Sequence, residues 1–212
     1  QKHLAAYLVN RHQKQGGLIG DTAHYDTERA LYPDDLVAWL EVTQADKWAK
    51  LCKDYPADPR GALMDRLAKT LDKDGTVQAL RRGFSIAGCG HIDLSEAAPE
   101  DTRNAEVLKR YAANILRVVP QLKYHPAREL AIDLAFFING IPVATVEVKT
   151  DFTQSASAAV DQYKTDRLPL DPKTKRREPL LTFKRGAVVH FAMSHSDIQM
   201  ATKLDGENTW FL

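Results

Sequence analysis

ELAIDLAFFINGIPVATVEVK, residues 129–149, reads as two strands folded back on each other. Both halves are rich in β-branched and aromatic residues. Asn139-Gly140 between them suits a tight hairpin turn, whose two central residues need positive φ. Glu147 and Lys149 are two apart on the second strand and project from one face, leaving Val146 and Val148 on the other. Asp133 interrupts the first strand between Ile132 and Leu134. Three charged side chains thus break two neighbouring apolar strands, and a buried charge is costly unless it is paired or bound to metal.

The alignment of the two strands decides whether those charges can meet. A strict two-residue hairpin at Asn139-Gly140 sets Asp133 opposite Val146 and sends the two acids to opposite faces. Uniting them requires a one-residue offset from a bulge or a longer loop. Pro142 has no amide hydrogen and disfavours regular pairing just after the turn, which leaves room for such an offset without establishing it.

Outward from this hairpin, residues 154–167 return to helical spacing and GAVVHFAM (186–193) is a further strand. Upstream, a helix opens near Thr102 or Asn104 with Leu108, Tyr111, Ala112, Ile115 and Leu116 on one side, and Val118-Val119 begins a strand. Helix, strand, strand, strand, helix, strand describes an α/β (α+β) fold, a mixed central sheet flanked by helices. Before it, residues 33–73 read as helices. Pro33 suits a first turn, followed by Leu36, Val37 and Leu40, then Trp48, Leu51 and Cys52, then Leu63, Leu67 and Leu71. Residues 75–95 hold four glycines and predict short strands or irregular structure. The opening segment places Leu4, Tyr7 and Leu8 on one helical face, and Gly16, Gly17 and Gly20 start a turn-rich stretch to about Tyr32. The expected organisation is one domain over 1–212, with a helical insertion at about 33–73 and a catalytic core at about 104–203.

The chain has 212 residues, 44% hydrophobic and 27% charged, enough for a core without disulfides or a structural metal. No apolar run approaches the roughly 20 residues that span a bilayer, and the start carries no signal-peptide cleavage pattern. Cys52 and Cys89 fit two lone thiols in a reducing compartment. A cytoplasmic protein without membrane contact is expected. The formal charge is only +1, but between Lys164 and Arg185 eight bases face Asp166, Asp171 and Glu178, a net of +5. Such a stretch attracts a phosphate backbone; a solvated loop is the plainer reading.

Two carboxylates can hold a hard divalent cation through oxygen. That ion can polarise a phosphoryl oxygen and activate water, and a neighbouring ammonium can orient the attacking water and offset developing charge. Asp133, Glu147 and Lys149 are therefore the parts for phosphodiester hydrolysis, against the rival of a structural ion pair. The acid-x-lysine spacing alone is weak, since about one chance occurrence is expected in such a chain, and Asp171-Pro-Lys173 repeats it in a polar loop. Elsewhere, His190 reads as a hydrogen-bonded core histidine despite His195 and Asp197 nearby. Cys89 and His91 lack the second pair a zinc site needs. Trp39, Trp48 and Trp210 read as core residues.

IDLAFFINGIPVATVEVKTDFTQSASAAVDQYKTDRLP resembles the nuclease core of type I restriction enzyme R (HsdR) subunits, of the PD-(D/E)XK superfamily. The likeness continues through EPLLTFKRGAVVHFAM and TKLDGENTWFL, with weaker matches in ALYPDDLVAWLEVTQADKWAKL and LDKDGTVQALRRGFSIAG. It implies a metal-dependent DNA endonuclease without strong base preference. Asp133 would be the motif aspartate, Glu147 the second acid and Lys149 the lysine, with Mg²⁺ (or Mn²⁺) held by Asp133, Glu147 and the Val148 carbonyl. It further implies a glutamine-tyrosine element on the next helix. Gln162 and Tyr163 are adjacent here, within a QYxxDR form, and a spacing of Gln, three residues, then Tyr is not met. Arg167, Lys173, Lys175, Arg176 and Arg177 are the expected phosphate contacts. Related nucleases add a glutamate from the first helix; the opening segment holds none before Glu28. Full R subunits carry ATP-hydrolysing motor domains and work with methylase (M) and specificity (S) subunits on double-stranded DNA. No G-x-x-x-x-G-K-[ST] loop occurs in this chain, so ATP is expected to serve the full-length subunit only. The alternative within the same fold is a non-cutting module that docks on DNA or a partner subunit.

Overall fold

A computed structural model describes residues 2–12, 17–149 and 156–212. Among them, six strands form one mixed sheet in the order β1-β4-β5-β6-β7-β8. These are β1 (Gly17–Ile19), β4 (Leu116–Lys123), β5 (Ala131–Ile138), β6 (Ile141–Val148), β7 (Val189–Met193) and β8 (Ile198–Ala201). β1 runs parallel to β4 and β6 parallel to β7, and the other neighbours are antiparallel. Helix α1 (Lys2–His12) lays Leu4, Ala5 and Val9 on one face, against Leu134, Val146 and Val148. On the other face α7 (Ala156–Thr165) packs Ala159 and Tyr163 with Ala135 and Phe137. Strand alternation thus sends Val146 and Val148 to one layer and Thr145 and Glu147 to the other. Gly16 and residues 154–155, at the edges of the expected turn and helix, lie outside the described residues.

The hairpin turn forms where Asn139-Gly140 predicts it. Both residues have positive φ (48° and 81°), as a type I′ turn requires. Ile138 pairs with Ile141 and Phe137 with Pro142; the register then shifts, and Phe136 pairs with Ala144. Val143 is the extra residue of a β-bulge, and its carbonyl turns to accept Val188 N–H at 2.9 Å. Beyond the bulge Leu134 pairs with Val146, which brings Asp133 opposite Glu147 on one face. This is the offset that the charge pattern required.

The helical block comprises α2 (Pro33–Thr43), α3 (Ala45–Asp54), α4 (Pro59–Asp74) and α5 (Thr76–Arg82), followed by a small hairpin of β2 (Phe84–Ile86) and β3 (Gly90–Ile92). Its apolar side chains, Trp39, Leu51, Leu67 and Leu71 among them, share a cluster that reaches Ile141 of the sheet. Two buried links join block and sheet. Arg117 of β4 pairs through two 2.6 Å hydrogen bonds with Asp35 of α2, and the Thr76 hydroxyl donates to the Arg185 and Gly186 carbonyls.

Three expectations are corrected. Residues 76–82 form a helix, not irregular structure, because Gly75 and Gly83, both at positive φ, bound one short helical turn set instead of breaking a strand. The helix α6 (Ala105–Ala112), capped by Asn104, one of the two starts the sequence offers, stops before Ile115 and Leu116. Asn114 ends it by donating to the Tyr111 and Glu96 carbonyls, an alternative to continuing the helical ladder. Trp210 is 76% exposed, while Trp39 is fully buried; the last residues lie along β8, with Leu212 and Met200 exchanging backbone hydrogen bonds, at the edge of the sheet.

Candidate active site

Asp133 is held by groups from both neighbouring strands. Its Oδ2 accepts the Val148 backbone N–H at 2.8 Å, and its Oδ1 accepts Gln121 Nε2 at 2.8 Å. Gln121 stands at positive φ (51°) where β4 skips one pairing, between Pro120↔Leu134 and Leu122↔Ile132. That irregularity turns its amide toward Asp133.

Glu147 is completely buried. Its Oε1 accepts Arg167 Nε at 2.6 Å, and its Oε2 is buried without a hydrogen-bond partner. Burial pushes the carboxyl up to about 7; Arg167 opposes the rise, and the Asp133 carboxylate beside it adds to it. Two acids sharing a site, one with an orphaned buried oxygen, form a hard-oxygen donor set that fits a divalent cation such as Mg²⁺.

Lys149 follows β6, tied by its N–H to the Met193 carbonyl, and its Nζ donates to Gln162 Oε1 of α7 at 2.5 Å. Gln162 therefore joins the group. Tyr163 does not reach the same point. It is fully buried, its hydroxyl lies 2.9 Å from Thr145 Oγ1, and Thr145 Oγ1 lies 2.7 Å from His190 Nδ1. This chain behind the site anchors α7 to the sheet. His190 is the hydrogen-bonded core histidine expected, with burial pushing it down to about 4.

The structure thus gathers Asp133, Glu147, Val148, Lys149 and Gln162. It separates Arg167 from the other basic residues. Arg167, expected on a phosphate-facing surface, is 6% exposed and donates to Glu147 and to the Ala131 carbonyl at 2.7 Å. It is drawn inside because the buried glutamate needs a counter-charge. Lys173, Lys175 and Arg177 are exposed on a loop closed by the Leu170↔Arg177 bridge, and Arg176 is tied to Glu28 at 2.8 Å.

Two features escaped the sequence reading. Gln121 gave no signal beyond being polar within a strand. His125, Asp171 and Glu178 form a second buried group, with His125 Nε2 3.2 Å from Glu178 Oε1 and 3.6 Å from Asp171 Oδ2. Their positions along the chain follow no ligand spacing, so no motif marks them. His125 Nδ1 accepts the N–H groups of Ala127 and Arg128, which places the neutral ring's proton on Nε2, toward the acids. Nε2 faces the two carboxylates, without a hydrogen bond to Glu178 Oε1.

A mixed sheet between helices, with its bulged central hairpin, defines a restriction-endonuclease-like α/β fold. The family model described as the type I restriction enzyme R protein N terminus (HSDR_N) matches residues 63–211. The chain belongs to that family and is an N-terminal domain of a type I restriction enzyme R subunit. No curated protein matches it. No helix among the described residues is long and apolar enough to cross a membrane.

Proposed function

We propose that this domain is the DNA-cutting part of its R subunit, a Mg²⁺-dependent endonuclease acting on phosphodiester bonds without strong base preference. The observation that carries this reading is the bulge at Val143, which turns Asp133 and Glu147 to the same face, where Glu147 Oε2 is buried without a hydrogen-bond partner. Asp133 and Glu147 would hold Mg²⁺, with the Val148 carbonyl as a further oxygen; Mn²⁺ is the natural substitute. When bound, the cation supplies Lewis acidity at a phosphoryl oxygen and activation of water.

The residues of the chain do the rest. Glu147 must be ionised to serve, so cation affinity is expected to rise with pH through about 7. The Lys149 ammonium, kept in place by Gln162, orients the attacking water and offsets negative charge as the phosphorus is attacked. Tyr163 steadies the helix that carries Gln162 through Thr145 and His190. Lys173, Lys175 and Arg177 supply sequence-independent attraction for the DNA backbone. M and S subunits provide recognition in the assembled enzyme, and ATP belongs to motor domains of a full R subunit.

The test is DNA cleavage by the assembled restriction enzyme carrying Lys149→Ala or Asp133→Ala, with translocation followed separately. Cutting is expected to fall by at least about 100-fold while translocation continues. Cleavage at the wild-type rate by both variants rules the reading out.

A further inference from the structure

Arg167 follows α7 and folds inward. Its Nε reaches Glu147 Oε1 on β6 at 2.6 Å, its Nη2 reaches the Ala131 carbonyl on β5 at 2.7 Å, and its guanidinium carbon lies 6.0 Å from the Tyr124 ring centre. One planar group thereby pins the two strands that carry the acids. A guanidinium does this because its donors are fixed in a fork, which an ammonium cannot reproduce. The main chain of the same residue returns to the site from the other side: the N–H groups of Asp166 and Arg167 both donate to the Gln162 carbonyl, so the turn that delivers Arg167 also fixes the residue holding Lys149.

The consequence falls on Glu147. Its two oxygens are made inequivalent, Oε1 taken by Arg167 and Oε2 buried with no donor. We infer that Arg167 is a positioning residue of the metal site, fixing the Glu147 carboxylate in the rotation that leaves Oε2 for a divalent cation. This rests on the nuclease reading above and replaces a phosphate-binding role for Arg167. The competing explanation is a buried ion pair that only closes the end of α7 onto the sheet. Both roles make the residue matter for stability. Only the positioning role makes it matter for cation affinity in a chain that is still folded.

The experiment titrates Mn²⁺ calorimetrically into the wild-type chain and into Arg167→Lys, Arg167→Met and Asp133→Asn, below the melting temperature of each as found by circular dichroism. Arg167→Met is expected to bind about 10- to 100-fold more weakly than wild type, the usual cost of losing a group that orients a ligand. Arg167→Lys is expected to fall between them, since its ammonium can meet Oε1 but not the Ala131 carbonyl at the same time. Wild-type affinity in Arg167→Met overturns the role. Should that variant not fold, wild-type affinity in Arg167→Lys overturns it equally. Binding that Asp133→Asn abolishes while the Arg167 variants keep it removes this inference and spares the nuclease reading. A wild-type chain that binds no Mn²⁺ removes both.

Discussion

Glu178 Oε1 is buried without a hydrogen bond, although His125 Nε2 is only 3.2 Å away. Burial pushes this carboxyl up to about 7 against the pull of Arg176 and Arg128, and burial pushes His125 down. A carboxyl whose folded pKa exceeds its unfolded value near 4.5 binds its proton more tightly in the folded state. Its contribution therefore favours the fold at low pH and fades as pH rises from about 4.5 to about 7. Glu147 acts in the same direction when no cation is bound. Asp171 acts oppositely. The Thr174 and Lys173 backbone N–H groups and Arg128 hold it below 3.8, and its stabilisation is lost only as pH falls through that range. Glu178→Gln removes one of the two groups that weaken the fold on ionising. In the metal-free chain, its melting temperature is expected to fall less steeply between about pH 5 and pH 7 than that of wild type. Parallel curves from thermal unfolding across that range would show that Glu178 ionises without cost.

At the scale of elements, the turn at Asn139-Gly140 fixes more than a hairpin. The Asn139 side chain is fully buried; its Oδ1 accepts Ile115 N–H at 2.7 Å, and its Nδ2 donates to the Leu94 carbonyl and to Asn114 Oδ1, both at 2.9 Å. The turn is thereby joined to the start of β4 and to the segment after β3. Asn139→Ala strands three buried polar groups and forces alanine into positive φ, so a loss of about 3 kcal/mol or more is expected. Asn139→Gly keeps the backbone free and should recover roughly 1 kcal/mol of it. Denaturant midpoints with an unchanged slope measure both, and equal midpoints for wild type and alanine would refute the account. The turn was legible because Asn-Gly is a local signal, and so were Asp133, Glu147 and Lys149, because charge inside apolar strands has few explanations. The bulge was legible only as a requirement. Arg167 was misread because nothing local tells an arginine bound to a buried glutamate from one bound to phosphate. Gln121 and the His125–Asp171–Glu178 group depend on strand irregularity and long-range folding, which leave no periodicity. The boundary between α6 and β4 was missed because Ile115 and Leu116 continue an apolar stripe, and a single asparagine overrules it.

Across the whole molecule, charge is divided between interior and surface. Glu147 and Arg167 are paired with each other in the interior, and the net charge of +1 gives little general attraction for DNA. Three exposed bases, Lys173, Lys175 and Arg177, lie close together in sequence on the loop after α7. Asp171 gives this loop a defined shape, its Oδ1 accepting the N–H groups of Lys173 and Thr174 at 2.8 and 2.9 Å. Lys173, Lys175 and Arg177 project from it, while Arg176 is already paired with Glu28. Each lysine or arginine that neutralises a phosphate releases counterions and adds about 0.9 to the slope of log K against log salt. Replacing Lys173, Lys175 and Arg177 together by alanine is therefore expected to flatten that slope by about one to about 2.7. Arg176→Ala should change it less than any one of the three, because its guanidinium must first leave a carboxylate. Lys149→Ala should leave the slope near wild type while cutting is lost, since its ammonium is held by Gln162 of α7 and not on the loop. Fluorescence anisotropy of a labelled duplex over a salt series reads all three. A triple variant with the wild-type slope would move the DNA-binding surface elsewhere on the domain and leave the loop as solvated charge.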